Sequence, residues 1–228
     1  MTPLPITYYS DVLCIWAYVA QERLDELYRE HGSDISVKQR FVSVFGDVPG
    51  KIDASWKDRD GYEGYARHVK SVADRFPHVR LSSDTWVHTR PTSSLSPHLF
   101  LKAIALWEQA QHAIEPKRLP ITESITWAFR RGFFAEARDI SERTVQQELA
   151  RPFGVPANEV AGLLDTGVAH AALSADYQSA EKARIEGSPT FLINEGRQKL
   201  YGNVGFRIIE ANIRELLREP SADQASWC

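Results

Sequence analysis

The 228-residue chain is poor in cysteine: it has two, Cys14 and Cys228, at opposite ends. That is not the framework of a secreted disulfide scaffold and points to a reducing compartment, with the cytoplasm as the expected location. Long apolar runs are also missing, none approaching the roughly 20 residues that span a bilayer. The start, Met-Thr-Pro-Leu-Pro-Ile, has neither a basic n-region nor an apolar h-region, so neither export nor a membrane anchor is expected. Neither sign of charge dominates: 27 Lys+Arg stand against 30 Asp+Glu, a formal charge of −3, which offers no bulk attraction to nucleic acid. There is no repeat period, no His-x-x-x-His pair and no Cys-x-x-Cys, so no metal site is expected. What remains is a globular balance, 43 % hydrophobic and 25 % charged, in a chain long enough to bury a core without staples.

Hydrophobic patterning divides this chain into three stretches. Ile6-Thr7-Tyr8-Tyr9-Ser10 is β-prone and runs through Asp11-Val12-Leu13 into a helix that begins near Cys14. That helix carries Trp16, Val19, Leu24 and Leu27 and ends at His31-Gly32; Ile35 to Val42 then alternates as a half-buried strand does. From about Gly46 to His170 only helical patterns appear, including Tyr62 to Phe76, Ser96 to Ala113, Ile121 to Phe134 and Ser141 to Ala150, punctuated by Pro and Gly. Strand signals return at Thr190 to Ile193 and Gln198 to Tyr201 around a turn at Asn194-Glu195-Gly196, and a closing helix runs from Gly205 to Leu217. The order β-α-β, helical insert, helix-β-β-α predicts an α/β, thioredoxin-like fold with a large all-α insertion. The thioredoxin-like domain is then discontinuous, residues 1–46 and 171–228, and the helical insertion is 47–170.

Cys14 lies where strand gives way to helix. The unpaired N–H groups and positive end of a helix favour a thiolate there, and a shift of order one unit, from ~8.5 toward ~7.5, is expected. The carboxylate of Asp11 opposes this if it points inward. The second element is Gly187-Ser188-Pro189-Thr190-Phe191. Pro189 opens a strand, where its missing N–H is tolerated, and a cis Ser188-Pro189 bond would turn the Ser188 backbone outward. Backbone groups exposed beside a reactive sulfur pair with an extended peptide or glutathione as an added strand does.

Ser10-Asp11-Val12-Leu13-Cys14-Ile15-Trp16-Ala17, the helical insertion, Gly187-Ser188-Pro189-Thr190 and the stretch from Asn194 to Gly205 together resemble the DsbA-like branch of the thioredoxin superfamily, especially its FrnE-like oxidoreductases. The resemblance covers essentially the whole chain and implies a thiol-disulfide oxidoreductase. The same branch includes kappa-class glutathione transferases and 2-hydroxychromene-2-carboxylate isomerases, whose first active-site position is usually serine. The departure from the dithiol pattern is Ala17, which stands where those members carry a second cysteine. No disulfide can form within the motif, so a mixed disulfide on Cys14 is released only by a thiol from elsewhere, with glutathione the implied co-substrate and no tightly bound cofactor.

The substrate and glutathione candidates are Trp16, Ser188, Pro189, Asn203 and Val204. Trp16 either lines the groove or, as its spacing favours, packs in the core. Gly202-Asn203-Val204-Gly205 precedes the last helix, where free N–H groups accept an anion such as a γ-glutamyl carboxylate, or else serves backbone geometry alone. Tyr8 and Tyr9 are expected to pack and satisfy one hydrogen bond each, Arg80, Arg90, Arg130 and Arg131 to form surface salt bridges rather than hold carboxylates, and Thr92-Ser93-Ser94 to cap a helix. Cys228 ends a polar tail and is either a second resolving thiol or, more simply, a solvated one; pairing of thiols between molecules would give a homodimer. Two alternatives accompany the oxidoreductase reading. In one, a glutathione transferase or isomerase uses the insertion to hold a small hydrophobic electrophile while Cys14 orients the sulfur of glutathione. In the other, a non-catalytic module binds peptides.

Overall fold

The computed structural model describes residues 3–114 and 121–218. Its centre is a four-stranded sheet in the order β2-β1-β3-β4, formed by β1 (Leu4–Ser10), β2 (Ile35–Phe41), β3 (Thr190–Ile193) and β4 (Gln198–Tyr201). β1 pairs parallel with β2 from Leu4↔Ile35 to Ser10↔Phe41, and antiparallel with β3 from Ile6↔Ile193 to Tyr9↔Thr190. β3 and β4 form the antiparallel hairpin. This is the sheet expected of a thioredoxin-like fold. β1 begins two residues earlier than its pattern predicts, because at Pro5 it has a neighbour only on the β2 side and the missing N–H is harmless there.

Between β1 and β2 the chain makes two helices, α1 (Ile15–Val19) and α2 (Gln21–His31), rather than one; α1 ends on a turn at Ala20. Between β2 and β3 come α3 (Val48–Trp56), α4 (Gly61–Ala73), α5 (Leu95–Ile114), α6 (Thr122–Phe134), α7 (Arg143–Ala150), α8 (Ala157–Asp165) and α9 (Val168–Lys182), and α10 (Phe206–Leu217) closes the chain. α3 escapes the pattern because Pro49-Gly50 reads as a turn. In fact Asp47 caps it, accepting from the Gly50 amide at 3.0 Å, with proline in the first turn where it is tolerated.

Two apolar clusters fix the halves. Ile6, Tyr8, Phe191 and Ile193 of the sheet bury against Leu24 and Leu27 of α2 and Ile209 and Ile213 of α10. The larger cluster joins the loop before α1 and α1 itself to the helical region, where Ile125, Phe129 and Phe133 repeat every four residues along one face of α6. Cys14 belongs to this second cluster. A buried ion cluster ties β2 to α9 and α5: Asp176 accepts from Arg40 Nη1 at 2.9 Å and from the Phe41 amide at 3.2 Å, and pairs with Lys102.

Candidate active site

Cys14 is the N-cap residue of α1, in extended backbone at φ −84°, ψ 117°. Its thiol donates to the Ser188 carbonyl at 3.2 Å across 174 residues of sequence. The hydroxyl of Ser188 accepts from the Asp11 amide at 2.9 Å, and the Ser188–Pro189 peptide is cis. The turn after β4 completes this edge of the sheet, the Gly202 amide donating to the Pro189 carbonyl at 2.9 Å. Cys14, Ser188 and Pro189 thus meet, because β3 runs antiparallel to β1 and begins where β1 ends.

The expected lowering of the Cys14 pKa is not found. Cys14 is 5 % exposed, and burial pushes its pKa up; the Ser188 side chain and the backbone amides of Ala17 and Trp16 pull it down, and the Asp11 charge adds to the rise. The physical reason lies in the helix: α1 has five residues, so few aligned peptide dipoles face a sulfur already stripped of water. In this state Cys14 is a neutral donor to Ser188.

Asp11 is fully buried and knits three segments together. Its Oδ1 accepts from the Leu13 amide at 2.9 Å, and its Oδ2 from the Val44 and Phe45 amides at 3.0 and 2.9 Å and from Ser94 Oγ at 2.8 Å. The capping role falls to Ser93, whose Oγ accepts from the Leu95 amide; Ser94 is instead a ligand of Asp11, a correction to the capping expectation. His98 Nε2 accepts the Val12 amide at 3.2 Å, so its 3.6 Å approach to Asp11 is no ion pair and the ring proton sits on Nδ1, toward Tyr177 Oη at 3.2 Å. Burial lowers the His98 pKa to about 4, which keeps the ring neutral.

Trp16 is partly buried, edge-on to Phe76 with the Arg75 guanidinium over its ring. Asn203 Oδ1 accepts from Arg23 at 2.6 Å, whereas the Val204 amide is taken by the Gly202 carbonyl at 2.9 Å and is not free for an anion, contrary to expectation. Tyr9 meets its one partner, Ser179 Oγ, at 2.7 Å, but the buried Tyr8 hydroxyl has none among the described residues. Arg130 is not a surface residue: it is fully buried, donating to Ser10 Oγ at 2.7 Å and Gln21 Oε1 at 3.1 Å. Arg90 lies over Tyr62, and Arg131 makes a long surface pair with Glu136. Cys228 lies outside the described residues. No group of three His, Cys, Asp or Glu suited to a metal occurs among the described residues.

In the helical region a cavity of about 610 Å³ lies between α4 and the segment from Phe76 to Val87, lined by Ala66, Ala73, Val79 and Leu81 and by the charged Arg67 and Lys70. Phe76 is shared between it and Trp16. Residues that sequence reasoning passes over also shape the site. Tyr201, half-exposed at the end of β4, lies against Gly187, and Tyr65 of α4 is buried in the same cluster as Cys14. Neither carries a motif; only its position in the strand or helix marks it.

Several solved structures share this architecture. Cytosolic disulfide reductase DsbM from Pseudomonas aeruginosa superposes with a TM-score of 0.65 at 20 % identity, over 93 % of this chain and 100 % of that one, and a second structure of that protein is described with GSH. A 2-hydroxychromene-2-carboxylate isomerase gives 0.65 at 12 % identity over 95 % and 97 % of the two chains. Oxidoreductase DsbA from Xylella fastidiosa gives 0.57 at 12 % over 94 % and 86 %. At such identities the likeness is one of fold, and no curated protein sequence matches the chain. No helix among the described residues is long and apolar enough to cross a membrane. With the thiol, the Ser188–Pro189 junction and the helical region between β2 and β3 in place, and with the family model for the DSBA-like thioredoxin domain matching residues 5–214, the chain belongs to the DSBA-like thioredoxin family.

Proposed function

We propose that this DsbA-like protein is a single-thiol, glutathione-linked disulfide reductase of the cytoplasm. The observation that carries the reading is the 3.2 Å contact from Cys14 Sγ to the Ser188 carbonyl, with methyl-bearing Ala17 where a resolving thiol would stand. None of the described hydrogen bonds uses the Ser188 amide, which leaves it to pair with a substrate strand. The fold shared with the DsbM structure described with GSH adds weight. In this reading residues 1–46 and 171–228 supply the thiol and the pairing backbone, and residues 47–170 shape the substrate side.

The reaction begins with loss of the Sγ proton, favoured by the Ser188 side chain and the Trp16 and Ala17 amides and opposed by burial. The Cys14 thiolate attacks the glutathione sulfur of a mixed disulfide R–S–SG, and the R–S⁻ thiolate leaves and takes up a proton. A second glutathione thiolate then attacks the glutathionyl sulfur on Cys14, giving oxidised glutathione and restoring the Cys14 thiolate. One disulfide is reduced and two glutathione units end as one disulfide. The test is mass spectrometry after treatment with oxidised glutathione, combined with a glutathione-coupled reductase assay, on wild type, Cys14→Ser and Cys228→Ser. A glutathione adduct on Cys14 with turnover lost only in Cys14→Ser is expected; turnover that survives Cys14→Ser sinks the reading.

One observation favours a second reading, a glutathione transferase or isomerase: the cavity beside α4, lined by apolar side chains such as Phe76, Val79 and Leu81 together with the charged Glu63, Arg67, Lys70 and Asp74, offers room for a small electrophile. There Cys14 orients the sulfur of glutathione without being oxidised, and conjugation or isomerisation proceeds without any adduct on Cys14.

A further inference from the structure

Tyr201 ends the outer strand of the sheet, directly opposite Thr190. Tyr201 is 52 % exposed, and none of the described hydrogen bonds uses its hydroxyl. A single exposed aromatic is ordinary on a protein surface; what distinguishes this one is what it covers. A Cβ built on Gly187 would stand 2.8 Å from Tyr201 Oη and 2.9 Å from its Cε2, so the phenol end of the ring rests on the bare backbone of Gly187. The next residue is Ser188, whose carbonyl holds the Cys14 thiol and whose amide is used by none of the described hydrogen bonds. One more step along, the Pro189 carbonyl takes the Gly202 amide, which fixes the turn that follows Tyr201. The ring therefore lies against Gly187, one residue before Ser188, whose carbonyl takes the Cys14 thiol.

An extended segment bonded to the Ser188 amide advances about 3.3 Å per residue, so one residue from that bond it passes Gly187, which offers no side chain, and meets the Tyr201 ring. We propose that Tyr201 is a specificity-determining residue: it packs against the residue that flanks the half-cystine of a peptide disulfide, and so favours peptide-borne disulfides, glutathione included, over non-peptidic ones that end before reaching it. This rests on the reading of Cys14 as the attacking thiol.

The test isolates the first chemical step, Cys14–S⁻ with R–S–S–R giving Cys14–S–S–R and R–S⁻, with no second thiol present. The full chain carrying Cys228→Ser is reduced, freed of reductant and mixed with oxidised glutathione or with bis(2-hydroxyethyl) disulfide. Adduct formation on Cys14 is followed by mass spectrometry, and the readout is the ratio of the two second-order rate constants. Tyr201→Ala is expected to lower that ratio about two- to tenfold, the range of one aromatic contact, while Tyr201→Phe keeps it. Gly187→Ala, whose methyl displaces the ring, is expected to lower the ratio similarly, and to add nothing in the presence of Tyr201→Ala. A ratio in Tyr201→Ala equal to that of the Cys228→Ser parent, while the parent forms both adducts, overturns this inference alone. Absence of any adduct on Cys14 in the parent overturns the thiol reading and this inference with it.

Discussion

Replacing Asp11 separates what its carboxylate does for stability from what its charge does to the thiol. Oδ2 receives three donors, the Val44 and Phe45 amides and Ser94 Oγ, and Oδ1 receives one, the Leu13 amide. Asp11→Ala orphans all four donors in a fully buried site. With about 1–3 kcal/mol for each unsatisfied group and partial relaxation, a loss of about 3–5 kcal/mol is expected, a large share of the roughly 5–15 kcal/mol that holds a domain folded. Asp11→Asn is milder. Its carbonyl takes the three-donor position, its amide faces the Leu13 N–H, and the expected cost is about 1–3 kcal/mol for that one mismatch. Because the Asp11 charge raises the Cys14 pKa, the same substitution lowers it. Urea unfolding of the two variants gives the first comparison, and the iodoacetamide rate of Cys14 at pH 7 gives the second. The Asn variant is expected to be the less destabilised of the two and to alkylate faster than wild type. An Asn variant as unstable as the Ala variant, or one whose thiol reacts more slowly, would refute the assignment of these two roles.

Three further outcomes are expected. His98 carries a folded-state pKa of about 4 against 6.5 unfolded, so the unfolded chain binds more protons between those values; the contribution is complete above pH 6.5 and is lost as pH falls toward 4, about 3 kcal/mol in all. His98→Gln, which keeps an acceptor for the Val12 amide but does not titrate, should flatten the urea-stability profile between pH 6.5 and 4.5 relative to wild type; parallel profiles count against it. Asp176→Ala leaves Arg40, Lys102 and the Phe41 amide without their shared carboxylate, and urea unfolding should register a loss of about 3–5 kcal/mol; a loss below about 1 kcal/mol contradicts the role given to this cluster. Arg130→Met removes a buried guanidinium whose described hydrogen bonds run to the neutral Ser10 and Gln21 side chains, and is expected to cost less than Arg130→Ala by the packing that the methionine stem retains; equal losses would argue otherwise.

The parts of the fold that were legible are those whose local signal and tertiary role coincide. Thr190 to Ile193 and Gln198 to Tyr201 are strands by pattern and strands in the sheet, and the turn between them has Asn194, Glu195 and Gly196 all at positive φ, a conformation that Asn and Gly tolerate best. Cys14 and Ser188-Pro189 are likewise readable, since a thiol at a strand end and a proline opening a strand are each local features, and the fold brings them together. Misreadings occur where a residue's partner lies far away in sequence. Ser94 looks like a cap until Asp11 arrives from 83 positions upstream, and Arg130 looks like a surface cation until Ser10 arrives from 120 positions upstream. The reactivity of Cys14 is the sharpest case. The dipole argument uses only neighbours in sequence and favours the thiolate, whereas desolvation comes from burial of Cys14 in a core cluster assembled from distant parts of the chain, Tyr65, Phe45 and the α6 aromatics among its members, which no local pattern announces. When the long-range contribution exceeds the local one, the local one gives the wrong sign.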